Sequence, residues 1–433
     1  MFGGMPQRGV VFWPVGTGDS STIVVTEEIV VQVDLHDMAK ADNDDMPEYA
    51  VVDRLVEVLP TVDGEPYLAV FVLTHADQDH CRGFADLLDK VRIGELWATP
   101  RLWRELDDPD AVLCDDAKAF QEETERRVNA IMKAVADGDA VESGDRVLVI
   151  GYDTDHDKHA YHELPDEYLT GPGKSVSRLD GVDVAGSFEA FLHAPFVDDC
   201  AAKRNETSVA MQVTLTGENG KTGQTLLFGD LSHDTIMKIF TYSEDNKRSE
   251  RLKWNVLLAP HHCSKSVMYV VDEDGEEVLA QDVLDAFGRH ALDGAIVVSS
   301  SCPVPASNTP GQNPPHVKAK DRYSEIADEF ICTMEYPTVA TPQPVVFGLT
   351  NDGFVLVDPV DVEESKSLVE ASRSGRRLAL VAGAAALVGP AYAYQHRQRD
   401  AATVSGPAQV REAIAQARGN TSAPGQVTGF GGR

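Results

Sequence analysis

The sequence is short of positive charge. Across 433 residues, 38 lysines and arginines face 70 aspartates and glutamates, a formal net charge of −32. So acidic a surface repels phosphate backbones at long range, which argues against affinity built on a broad basic patch. A local basic or metal-lined groove remains compatible with a phosphodiester. Cysteine is sparse too. The six cysteines stand at positions 81, 114, 200, 263, 302 and 332, and no two share a CxxC spacing, so neither a zinc ribbon nor a dithiol redox motif is expected. A chain of this length can bury a core without disulfides, and the thiols are expected to be reduced, as in a cytoplasm. The chain start shows no charged stretch leading into a continuous apolar run, so no secretory signal is expected. There is no internal repeat.

What is present is an ordinary globular composition, 42% apolar and 25% charged, enough for one large domain or two smaller ones. Up to position 358, strand-like and helix-like segments alternate. Strands are expected over 29–34, 68–74, 146–150, 188–193, 209–215, 225–228, 256–259, 295–299, 345–349 and 354–357. Several are unbroken Val/Ile/Leu runs, the pattern of strands covered on both faces. Helices are expected over 83–91, 115–136, 234–241, 280–287 and 317–330. The mixture implies an α/β (α+β) fold with sheets sandwiched by helices, a 1–358 domain. A polar linker follows over 359–377, then an apolar or small-residue run over 378–394 flanked by arginines, and a flexible tail over 395–433. Seventeen residues is the lower limit for crossing a bilayer, so 378–394 is a candidate membrane anchor, with a packed tail helix as the other reading.

The chemistry concentrates in one loop. The apolar strand 68–74 runs straight into His75-Ala-Asp77-Gln-Asp79-His80, which places four metal-capable side chains within six residues. Two carboxylates and two imidazoles beside an apolar strand would be costly to bury without a cation. Further potential ligands end other apolar strands: Asp34, His193, Asp230, and the pair His261-His262. Each alone reads as a capped turn or a core histidine; together they point to one shared site. By contrast, His156, His159 and His162 fall in a polar stretch with no apolar strand beneath and read as a solvated loop.

In order along the chain, the motifs resemble the metallo-β-lactamase superfamily, and more narrowly the nuclease-like domain of ComEC-type competence proteins and their standalone relatives. Gly16-Thr-Gly-Asp-Ser20 is similar to that group's G-x-G-D-S opening, and the 75–80 run to its H-x-D-x-D-H. Asn205-Glu-Thr-Ser208 is similar to its N-x-x-S step, His261-His-Cys-Ser-Lys265 to its H-H-G-S-K, and Asn313-Pro-Pro-His316 to its late Pro-His motif. The resemblance covers about residues 11–330 and implies an αββα sandwich holding two divalent metal ions. Carried over, His75, Asp77 and His193 would hold one. Asp79, His80 and His262 (or His261) would hold the other, with Asp230 bridging. Asp34 would hold the metal-binding loop through hydrogen bonds. Asp77 stands where many members have His, and this hard oxygen tilts the site from zinc toward manganese. Cys263 replaces the usual Gly, and His36 stands where relatives often have Gly.

Two divalent ions would lower the pKa of a shared water and neutralise charge on the leaving oxygen. The expected activity is therefore a metal-dependent phosphodiesterase or nuclease. Asp79 would orient the water or take its proton, Ser264 and Lys265 would contact a phosphate oxygen, and His316 would protonate the leaving group. Asn205 and Ser208 would act beside them, and residues 100–186 read as an insertion over the site that sets specificity. The chain lacks the many membrane spans of ComEC-type proteins, so it reads as a standalone hydrolase. The acidic surface leaves open a short or single-stranded nucleic acid, a nucleotide, or a protein partner that delivers the substrate. Two other readings are a small-molecule metallo-hydrolase acting on a lactone, cyclic nucleotide or phosphorylated headgroup, and a non-catalytic scaffold.

Overall fold

Short runs of β-branched residues make the strands, because Val, Ile and Thr fit an extended backbone better than a helix. The computed structural model describes residues 5–37, 49–107, 113–151, 159–197, 204–309 and 311–358. In them, two large sheets carry most of the strands. The ten-stranded sheet runs, in spatial order, Gly353–Leu356, Val345–Thr350, Gly9–Phe12, Ser21–Val24, Val30–Val33, Glu65–Val72, Arg92–Ala98, Arg146–Ile150 and Leu169–Thr170, with Thr61–Val62 paired to the side of Glu65–Val72. Pairing is parallel from Val30–Val33 to Leu169–Thr170 and antiparallel on the other side. The seven-stranded sheet runs Glu329–Cys332, Ala291–Ser299, Trp254–Leu258, Thr222–Leu227, Ala210–Thr216, Phe188–Ala194 and Ser175–Val176, its first four strands parallel.

Buried apolar side chains fall into three clusters. One draws on both sheets, with Val10, Val31, Val70 and Val72 beside Leu192, Met211, Val213 and Val256. A second joins the ten-stranded sheet to the helices Val51–Val58, Phe84–Lys90 and Asp115–Asp137. The third joins the seven-stranded sheet to His233–Asp245, Gln281–His290 and Val317–Ile326. Each strand therefore sends alternate side chains to opposite faces, both of them apolar.

The segment 100–186, expected to lie over the site, is largely woven into the domain. Arg146–Ile150 pairs with Arg92–Ala98 inside the ten-stranded sheet. The helix Asp115–Asp137 buries Phe120, Val128 and Ile131, with the Phe120 ring 5.1 Å from Phe84 and 5.9 Å from Phe71. Its apolar stripe requires such a partner, and a lid over solvent would leave that stripe wet. The helix expected over 317–330 stops at Ile326, because Glu329–Cys332 extends to pair in parallel with Ile296–Ser299. Strands Gly9–Phe12, Ser21–Val24 and Arg92–Ala98 had no expectation behind them. Among the described helices, none is long and apolar enough to cross a membrane. His156, Cys200 and the segments 359–377, 378–394 and 395–433 lie outside the described residues.

Candidate metal centre

The carboxyl ends of parallel strands assemble the site. Asp34 follows Val30–Val33, His75 follows Glu65–Val72, Asp230 follows Thr222–Leu227, and His261 and His262 follow Trp254–Leu258. Parallel sheets commonly gather ligands at these ends, where strands stop and loops can converge.

The Asp230 carboxylate is the hub. Its Oδ1 lies 3.2 Å from His80 Nε2 and 3.5 Å from His262 Nε2. Its Oδ2 lies 3.6 Å from His261 Nε2 and 3.8 Å from His75 Nε2. One carboxylate thus meets four imidazoles, two on each oxygen. On the Oδ1 side, His262 Nε2 also lies 3.3 Å from Asp79 Oδ2, and His262 Nδ1 lies 3.3 Å from Asp19 Oδ1. On the Oδ2 side, His75 Nε2 lies 3.5 Å from Asp77 Oδ2, and Asn205 Nδ2 reaches Asp230 Oδ2 at 3.5 Å.

Hydrogen bonds from outside fix which nitrogens face inward. Asp34 accepts from Thr74 N and from Thr74 Oγ1, both at 2.7 Å, and its Oδ2 meets His80 Nδ1 at 2.7 Å. A proton donated from His80 Nδ1 to Asp34 commits that nitrogen outward and leaves Nε2 facing Asp230, where a cation would take the place of its proton. Ser208 acts similarly on His75. The Ser208 hydroxyl donates to Asn205 O at 2.6 Å, so its lone pairs are free to accept Asp230 N–H and His75 Nδ1–H, each at 3.2 Å. His75 Nε2 is then left as an inward lone pair.

Backbone conformation supplies the paired histidines. His261, His262 and Cys263 all take left-handed φ, at 50°, 52° and 64°. This turn lets adjacent residues 261 and 262 present rings to opposite oxygens of Asp230. Gly18 serves a close approach: a Cβ there would stand 2.0 Å from His36 Nδ1 and 2.7 Å from the Asp79 carbonyl. With no Cβ, the chain comes near enough for Asp19 N to donate to Asp79 O at 3.0 Å, which carries Asp19 into the site.

Among the described residues, Asp19, His80, Asp230 and His262 have ligand atoms all within 4.8 Å of one another, and all four are buried. They could hold a metal ion. The fit shows in the unsatisfied atoms: Asp19 Oδ1, His75 Nε2, Asp230 Oδ1 and His262 Nδ1 are buried and make no hydrogen bond. A cation would satisfy oxygens and imidazole nitrogens alike, at a place where burial otherwise penalises each.

Protonation follows the same logic. Burial opposes charge on His80 and His262, yet Asp230 with Asp34, and Asp230 with Asp19, hold both well above the usual histidine range. Burial would raise Asp230, but His262 and His80 hold it well below the carboxylate range. Burial also opposes the charged form of Asp77, yet His75 and Arg204 bring it to about 2. Asp79 is lowered despite its burial, chiefly through His262 and His80.

Several expected residues stand elsewhere. His193 does not join the converging group. Phe188, Ala190 and Leu192 face the cluster shared by the sheets, so alternation turns Glu189, Phe191 and His193 to the other face, where Arg251 lies. There His193 Nε2 meets Arg251 O at 2.9 Å, and burial lowers its pKa to about 4. His316 has both ring nitrogens engaged, Nδ1 accepting from Lys265 N at 3.3 Å and Nε2 meeting Gln312 O at 3.0 Å. Lys265 Nζ pairs with Glu277, and Ser264 Oγ accepts from Ser266 N, capping a short turn. Among the described residues, none of these three makes a hydrogen bond or ion pair to Asp230 or its four imidazoles. The His159 ring stacks on Tyr161, and the His162 ring lies tilted against it at 4.0 Å.

Reading strand ends alone misses Asp19, which precedes a strand, although the motif around Gly16 contains it. It also misses Arg204, whose Nη1 meets Asp77 Oδ1 at 2.6 Å while its Nε meets the buried Glu105 at 2.6 Å. Glu105 sits on the helix Arg101–Asp107, the part of 100–186 that borders the site. No sequence pattern announces that pair. Comparison with protein-family models and with curated proteins finds no match for this chain.

Proposed function

We propose that this protein is a metal-dependent hydrolase that cleaves phosphodiesters, with two divalent ions, Zn²⁺ or Mn²⁺, on either side of Asp230. The observation that carries the reading is the Asp230 carboxylate with two imidazoles on each oxygen. A single ion would use one side of that arrangement and leave the two imidazoles on the other oxygen without a cation to share. The layered clusters on both sheets favour an αββα sandwich of the metallo-β-lactamase type, in keeping with the resemblance of the motifs.

In this reading Asp19, Asp79, His80 and His262 would hold one ion, and His75, Asp77 and His261 the other. Divalent ions so held supply Lewis acidity, acidifying water and neutralising charge on a departing oxygen. The chain supplies the rest. Asp79, 37% exposed, meets both solvent and the cluster, and its depressed pKa keeps it ionised to orient an attacking water. Arg204 anchors Asp77 and brings a cation toward the side where an anionic substrate would rest. A small-molecule hydrolase is the second reading, favoured by the formal charge of −32, which repels long nucleic acid.

The test is hydrolysis after reconstitution with Mn²⁺ or Zn²⁺. Wild type and an Asp79→Ala/His80→Ala variant would be given bis(p-nitrophenyl) phosphate, then single- and double-stranded DNA and RNA. Turnover that disappears in the variant supports a phosphodiesterase. Two bound ions with no turnover on any phosphodiester would shift the reading to a small-molecule substrate.

A further inference from the structure

Two thiols adjoin the metal cluster without belonging to it. Cys81 follows His80 at the end of the short helix Gln78–Cys81 and is buried. Cys114 immediately precedes the helix Asp115–Asp137 and is half-buried. They are 33 residues apart in sequence, yet their Sγ atoms lie 3.5 Å apart. A disulfide needs about 2.05 Å, so closure asks for a movement of roughly 1.5 Å.

The two sulfurs differ in chemistry. Cys114 Sγ accepts the Ala117 N–H at 3.4 Å, at the N-cap of a 23-residue helix, where N–H groups and the helix dipole favour a negative sulfur. The Cys81 thiol beside it adds the largest share, and the Cys114 thiol is brought down to about 6. Cys81 is fully buried, and its sulfur also lies 3.2 Å from the Asp77 carbonyl. One sulfur is thus partly exposed at a helix N-terminus, where it can act as the nucleophile, and its neighbour is sheltered.

We propose that Cys81 and Cys114 form an oxidative modification site, a dithiol that peroxide converts to a disulfide tying the His80 segment to the head of helix Asp115–Asp137. The Cys114 thiolate attacks one peroxide oxygen, the O–O bond breaks, and hydroxide leaves to take up a proton as water, giving the sulfenic acid. Cys81 sulfur then attacks the Cys114 sulfur. The S–O bond breaks, and the departing hydroxide takes the Cys81 proton as a second water. Two thiols lose two electrons and the peroxide gains them. The proposal does not depend on the hydrolase reading, because its readout is the covalent state of two sulfurs.

The full-length reduced protein, treated with graded hydrogen peroxide and alkylated under denaturing conditions, gives the test. The expected product is about 2 Da lighter before alkylation and yields a reducible peptide pair joining Cys81 to Cys114. In Cys81→Ser, a sulfenic acid at Cys114 should be trapped by dimedone; in Cys114→Ser, Cys81 should stay reduced. Since either variant could misfold, the native alkylation rate of wild-type Cys114 against pH is a second readout, expected to rise about a midpoint near 6. Both thiols remaining alkylatable under excess peroxide, or linkage through Cys263, Cys302 or Cys332 instead, overturns the proposal.

Discussion

Asp34 Oδ2 lies 2.7 Å from His80 Nδ1, on the far side of the imidazole from Asp230. Asp34 therefore sets the tautomer and the angle of that ring. Replacing Asp34 with Asn leaves the shape but reverses or weakens that bond. The Asp34→Asn variant should lose about 10- to 100-fold in metal affinity while remaining folded. Competition with a chromophoric chelator would measure it, and unchanged affinity would show that the ring needs no such brace.

The paired histidines and His193 can be told apart. His261→Ala removes an imidazole from the Oδ2 side of Asp230, whereas His193→Ala removes one held by the Arg251 carbonyl. Metal content by mass spectrometry after dialysis should fall in the first variant and hold in the second. The opposite result would return His193 to the ligand set.

Metal affinity should depend on pH with a definite sign. His80 and His262 are held well above the usual histidine range, so both carry protons at neutral pH when no cation is bound. A cation must displace those protons, and affinity should rise with pH by about tenfold per unit for each proton released. Calorimetry at pH 6, 7 and 8, in buffers of differing protonation enthalpy, counts them.

Glu95 gives a stability prediction outside the candidate metal centre. Burial raises its pKa from 4.5 to about 7, although Trp97 Nε1 and Asp180 N both donate to its carboxylate. A raised folded-state pKa means that the folded protein binds the proton more tightly. Its stabilising contribution is complete below about pH 4.5 and is lost as pH rises through about 7. Wild type should lose about 3 kcal/mol over that window relative to Glu95→Gln. Denaturant midpoints at pH 4.5 and 8 for both proteins give the difference in slope, whatever the fixed cost of the substitution.

Phe120 tests whether helix Asp115–Asp137 is part of the core. Its ring packs between Phe71 and Phe84, so Phe120→Ala should cost about 3–5 kcal/mol and unfold the chain as a unit. A small, local effect would mean that the helix is a detachable cover.

The sequence made part of this legible. Apolar strands ending in Asp34, His75, Asp230 and His261-His262 are local patterns, and period-two alternation with strand-end ligands finds them. The strand expected over 188–193 was legible too, but its facing was not: which side His193 takes depends on where Phe188 and Ala190 are buried, a tertiary fact. Asp19 escaped because its entry to the site depends on Gly18 passing within hydrogen-bond reach of Asp79. The Arg204–Glu105–Asp77 link joins three segments far apart in the chain. The Cys81–Cys114 approach was hidden for the same reason, since spacing rules look for neighbours in sequence and these two meet where the ends of two helices pack together.

The left-handed turn at His261, His262 and Cys263 carries one last consequence. Each L-residue held there is disfavoured by about 1–2 kcal/mol, so three in succession store strain that something must restrain. A ligand gripping both imidazoles would clamp the turn like a catch on a bent spring. Stripping the ligand would release it, and amide exchange should then quicken first along residues 261–263, before any strand of either sheet begins to open.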